Sequence, residues 1–142
     1  METEKIISPF GFSLGVAGLI PFIFLAVADF LMPDSYKPMI LFSLLAYGAS
    51  ISSFLGAIHW GLTMRDQTPN PMYLLWGVCP SLIAWCSLML KPELGLLLTS
   101  SLLWLCFFID AKIYPKYSLK HWLPMRLGLT IVASFSCLVT AF

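Results

Sequence analysis

Tyr47-Gly-Ala-Ser-Ile-Ser-Ser-Phe-Leu-Gly-Ala-Ile-His-Trp-Gly61 is the stretch whose reading decides the fold. It lies within a run, Pro38 to Met64, that contains no Asp, Glu, Lys or Arg, so His59 is its one group that titrates near neutral pH. Small residues recur in it every four positions. Gly48, Ser52 and Gly56 form one row, and Ala49, Ser53, Ala57 and Gly61 the next. On a helix such rows let neighbouring backbones approach closely, which is how helices associate in lipid. A histidine in this setting is costly against acyl chains, so His59 is expected to face protein or water.

Working outward, the whole chain has the same character. Of 142 residues, 59% are hydrophobic and only 11% charged, and the mean hydropathy is +0.88. Several apolar runs reach spanning length, which makes this an all-α integral membrane protein. Five spans of ~20 residues take up about 100 residues, so the chain reads as a single transmembrane domain, 1–142, with short loops. A net charge of +1 without any basic block excludes a nucleic-acid partner. The bilayer is the expected partner, with a larger membrane complex or a homo-oligomer as further candidates.

Prolines bracket the helices. Pro9, Pro33, Pro38, Pro69, Pro71, Pro92, Pro115 and Pro124 fall where a missing backbone N–H is harmless, in first turns and beyond helix ends. They predict spans near 10–32, 38–64, 72–90, 94–113 and 124–142. Pro21 and Pro80 fall inside spans one and three, where each frees the carbonyl four residues earlier and predicts a kink. Ala26-Val27-Ala28 resembles a signal-cleavage site, but the leader Met-Glu-Thr-Glu-Lys is acidic rather than basic, so the segment reads as the first span. Nor is that leader Arg-rich and acid-poor, as a mitochondrial transit peptide is.

Gly11, Gly15 and Gly18 give the first span a close-packing surface of its own. It is expected to meet the Gly48–Ser52–Gly56 or Ala49–Ser53–Ala57 row of its hairpin partner, so that spans one and two pack most closely. Tyr36, Tyr73, Tyr114, Tyr117 and Trp122 fall at span ends and read as an aromatic belt. Lys5, Arg65, Lys112, Lys116, Lys120 and Arg126 gather at one end of the bundle, against Lys37 and Lys91 at the other. Six against two predicts the N-terminus inside and the C-terminus outside. No internal repeat is visible, which argues against an inverted-repeat transporter.

This topology brings His59, Asp110 and Arg126 to similar depth on three different helices at the basic end, with Trp60 beside them. A polar cluster is therefore expected there, either stapling helices or holding a ligand. Asp29 stands alone near the opposite end. Cys79, Cys86, Cys106 and Cys137 form no C-x-x-C pair and read as packing residues. One histidine with one aspartate does not make a metal site. Neither a phosphate loop, an H-E-x-x-H pattern nor a nucleophile–base set appears, so no cofactor, metal or catalytic residue is assigned.

Tyr47-Gly-Ala…Ser53-Phe-Leu-Gly-Ala-Ile-His-Trp-Gly61, preceded by Gly18-Leu-Ile-Pro-Phe22 and followed by Pro80-Ser-Leu-Ile-Ala-Trp85, Asp110 and Arg126-Leu-Gly-Leu-Thr130, resembles the transmembrane-protein-69-like family of unknown function. The likeness covers nearly the whole chain, with Ala57 where the family often carries glycine. It implies a multi-span membrane protein of the bacterial inner membrane, or of the mitochondrial inner membrane as the second choice, and implies no activity. Two functions remain open. The first is a structural or accessory membrane subunit. The alternative is a protein that binds a lipid, quinone or small anion, or handles protons, through His59, Asp110 and Arg126.

Overall fold

The computed structural model describes residues 5–142, and among these every regular element is helical. Ser8 opens the first span by accepting a hydrogen bond at its Oγ from the Gly11 amide, 3.1 Å away, with Pro9 in the first turn. This span is two helices, α1 (Pro9–Ala17) and α2 (Ile20–Leu31), separated at Gly18 and Leu19. Pro21 has no N–H for the Ala17 carbonyl, and the turn tightens instead, with Leu19 bonding to the Val16 carbonyl at 3.0 Å. The neighbouring Gly18 carbonyl accepts from the Tyr47 hydroxyl of the next span at 2.8 Å. Backbone groups released inside a membrane need such a partner, because no water replaces the lost bond.

Next come α3 (Lys37–Thr63), α4 (Pro71–Leu88), α5 (Pro92–Ile113) and α6 (Leu123–Ala141), so five helical segments are long and apolar enough to cross a membrane. Each begins with proline in its first turn, and Asn70 caps α4 by accepting from the Met72 amide at 2.9 Å. All five lie within two residues of the spans read from the sequence at both ends. α4 stays continuous through Pro80. Between α5 and α6 run two 3-10 turns, Tyr114–Tyr117 and Lys120–Trp122, joined through Ser118 in the left-handed region at φ 59°.

α3 is the axis of the bundle. Its buried face, which includes Leu41, Leu44, Leu45, Ser52, Leu55 and His59, packs against α2, α4 and α5. Leu96, Leu102, Leu103 and Cys106 of α5 and Cys137 of α6 complete the core. Phe24, Phe42, Phe54, Leu82, Trp85, Phe108 and Phe135 point outward, as side chains facing acyl chains should.

The small-residue rows do not pair as the sequence suggested. A Cβ on Gly56 would come within 2.6 Å of the Gly77 carbonyl oxygen and 3.1 Å of the Pro80 ring, so Gly56 is pressed against α4 and not α1. Gly48 meets Thr99 of α5 as well as Phe22 of α2. Gly11 and Gly15 lie against Trp122 and Met125 at the start of α6, and only Gly18 approaches α3, 4.0 Å from the Tyr47 hydroxyl. The closest partner of α3 is thus α4. The physical reason is the break at Gly18, which lets α2 follow α3 while α1 turns away toward α6. Ser52 is buried within α3 itself, donating to the Gly48 carbonyl at 2.9 Å. Gly61 has nothing within 4 Å and packs against no other helix.

Candidate functional site

Asp110 sits in the last turn of α5 and Arg126 in the first turn of α6. Neither placement favours its own helix: a carboxylate at a C-terminus and a cation at an N-terminus both oppose the helix dipole. What they favour is each other. Arg126 donates to Asp110 Oδ2 from Nε at 3.0 Å and from Nη2 at 2.7 Å. His59, reaching across from α3, places Nε2 2.7 Å from the other carboxylate oxygen, Oδ1. The carboxylate accepts there, so Nε2 is the protonated nitrogen. Asp110 is fully buried, His59 is 1% exposed and Arg126 8%. Charges this far from water persist only when paired and hydrogen-bonded, and this carboxylate uses both oxygens.

Around the triad lie polar groups that the protein does not satisfy. His59 Nδ1, Thr63 Oγ1 and Thr130 Oγ1 are buried and make no hydrogen bond among the described residues. Thr63 follows His59 by one turn of α3, and Thr130 follows Arg126 by one turn of α6. The ring of Tyr114 is tilted by 41° against His59, with centroids 6.3 Å apart. Tyr114 is 3% exposed and belongs to the site rather than to an interfacial belt. Its connection is fastened from below: Tyr117 donates to Asp66 Oδ2 at 2.7 Å, and Lys116 donates to the Tyr73 hydroxyl at 2.8 Å. The 114–122 connection therefore closes the basic end of the bundle over the cluster.

Trp60 does not join the triad. One residue is 100° around a helix, so the side chain after His59 faces α4, covers Gly77 and donates from Nε1 to the Leu74 carbonyl at 2.8 Å. Asp29 is likewise separate, with Lys37 Nζ 3.6 Å from its Oδ2 near the opposite end. All four cysteines are free thiols, and no group of three or more His, Cys, Asp or Glu side chains able to hold a metal occurs among the described residues.

One face of the triad borders open space. Because α1 leans on α6, a groove remains between α1 and the Ile51–Ile58 face of α3, with α6 as its floor. It comprises two adjoining cavities. The one toward the basic end measures about 500 Å³ and reaches Tyr114, Leu119 and Trp122. The other, about 180 Å³, extends toward Phe22, Thr130 and Ala133. Both are lined by Leu14, Gly15, Phe54, Leu55, Arg126 and Leu129. Leu14 and Phe54 are more than half exposed, so the groove is reached from the lipid-facing side. Its walls are almost wholly apolar, and among the described residues Arg126 is its only charged lining residue.

Thr63 and Thr130 escaped the reading of the sequence, although their i+4 spacing from His59 and Arg126 marks them as neighbours on the same helix faces. Tyr114 carried no such signal, since a tyrosine beside a proline at a span end is what an interfacial anchor looks like.

Comparison with known proteins gives a consistent answer. The family model described as "Protein of unknown function (DUF3429)" matches residues 9–142. A protein of Xenopus tropicalis named Transmembrane protein 69 is 36% identical over 131 residues, covering 87% of this chain and 50% of the relative. Its Mus musculus namesake is 30% identical over 131 residues, covering 88% and 52% respectively. The chain thus spans about half the length of the curated relatives it matches. No solved structure matches.

Proposed function

The chain belongs to the DUF3429 family of membrane proteins of unknown function, and from that premise we propose that it binds a membrane-soluble small molecule in the groove beside Arg126. The observation that carries this reading is the groove itself. At about 500 Å³, its larger cavity falls within the ~300–1,000 Å³ usual for small-molecule sites, and it has the usual apolar wall with a few polar groups in one place. A helix staple needs only the Asp110–Arg126 pair. It does not need the guanidinium to border an open cavity, nor the Thr130 hydroxyl to lie beside that cavity without a partner.

The basic end faces the cell interior in this reading, which fits the bacterial cytoplasmic membrane, with the mitochondrial inner membrane as the alternative. An accessory subunit is the second reading. Gly61 and Gly128 support it, since a Cβ at either would meet nothing within 4 Å and a partner helix could approach closely there.

The test is extraction of the protein purified from its native membrane, with mass spectrometry of the bound molecules, beside Leu129→Trp, which fills the groove from α6. The wild type should carry one species well above the bulk-lipid background, and the variant should lose it while melting normally. Identical extracts from the two proteins would overturn the reading.

A further inference from the structure

We infer that the groove selects a ligand whose polar end is a pair of uncharged carbonyl oxygens on an apolar chain, in preference to one with an anionic head. This rests on the groove reading above and concerns its chemistry. Among the described residues Arg126 is the one cation in the lining, and its charge is already matched: Asp110 lies 2.7 Å from Nη2 and is fully buried. The Asp110 carboxylate and the Arg126 guanidinium sum to zero. An anion entering the groove would bring a second negative charge toward the Asp110 carboxylate, in surroundings too apolar to screen it. Sites that hold anionic headgroups gather several cations, and here the remaining lining is apolar or glycine apart from Tyr114, Thr130 and the Trp122 indole.

The lining offers hydrogen-bond donors instead, and one of them, the Thr130 hydroxyl, lacks a partner among the described residues. Arg126 gives Nε and Nη2 to Asp110, so the carboxylate does not engage Nη1, and the Tyr114 hydroxyl lies near the guanidinium. The Thr130 hydroxyl is 2% exposed, borders the cavity nearer the middle of the bundle and has no partner. Side chains one turn apart on a helix, as Arg126 and Thr130 are, stand about 5–6 Å from each other at their Cβ atoms. Both residues border the smaller cavity, and a ligand with two carbonyl oxygens, a quinone ring or the two ester carbonyls of a diacylglycerol, offers one acceptor to each donor. Either would accept a hydrogen bond from each donor and satisfy both without adding charge. The apolar chain then lies along Gly15, Gly18, Leu129 and Ala133 toward the middle of the bundle.

The experiment uses the full chain, delipidated in a maltoside detergent that has no carbonyl group. Binding is measured by native mass spectrometry for a decyl-substituted 1,4-benzoquinone, dioleoylglycerol and oleate, in the wild type and in Thr130→Val. At least one dicarbonyl probe should bind more tightly than oleate, and which one does identifies the source of the carbonyls. Thr130→Val should weaken that probe by roughly two- to tenfold, the loss of one hydrogen bond, and leave oleate unchanged. Oleate binding as tightly as both dicarbonyl probes would overturn the inference, as would a Thr130→Val variant with unaltered affinity for them. Failure of all three probes to bind, with the protein still folded, would instead overturn the groove reading on which the inference depends.

Discussion

Asp110 is the residue on which the site turns, because it satisfies two partners with one side chain. His59 takes one oxygen and Arg126 the other, and all three are buried. Removing only the carboxylate strands a buried guanidinium. Asp110→Ala should therefore lose about 3–5 kcal/mol, read as a large drop in melting temperature in detergent. The double variant Asp110→Leu with Arg126→Leu removes the charges together and should recover most of that loss, because a dry pair replaced by apolar side chains is often neutral. If the double variant melts as low as the single, the triad contributes more than charge neutralisation. Tyr47→Phe tests a smaller contact. It removes the 2.8 Å hydrogen bond to the Gly18 carbonyl at the break in span one, and should cost about 1 kcal/mol by the same measurement.

Between elements, glycines divide by what lies opposite them. Gly56 faces the α4 backbone, with the Gly77 carbonyl oxygen 2.6 Å from where a Cβ would be, and a backbone cannot step aside. Gly15 also faces a close neighbour, but that neighbour is the terminal methyl of Met125, a flexible side chain. Gly56→Ala should accordingly lower stability by about 1–3 kcal/mol through overpacking. Gly15→Ala should cost less than about 1 kcal/mol, the methionine moving into the groove. Thermal unfolding of the two variants side by side checks the assignment, and equal losses would contradict it. The 114–122 connection belongs to this scale as well. Its ties from Tyr117 to Asp66 and from Lys116 to Tyr73 bind two loops together at the basic end, and so hold Tyr114 against His59.

For the molecule as a whole, five spans predict that the two ends of this chain lie on opposite sides of the membrane, and the six-to-two basic asymmetry predicts the N-terminal end inside. Reporter fusions at the two ends should give opposite signals, and matching signals would remove one span from the topology. The number of helices of spanning length and the places where they start and stop were legible in the sequence, because both depend on local properties. Apolar length is a property of a segment, and a missing N–H is a property of one proline, so neither needs to know what the segment packs against. The meeting of His59, Asp110 and Arg126 was legible at the level of depth, since alternating spans return equal heights to the same end. Partner choice was not. A row of small residues permits close approach but does not name the helix that approaches, and the break at Gly18 sent α1 to α6, leaving α4 to fill the place beside Gly56. The groove arises from that same choice. It is space left between three helices whose angles are decided jointly by all their contacts, and no segment of the chain encodes it alone.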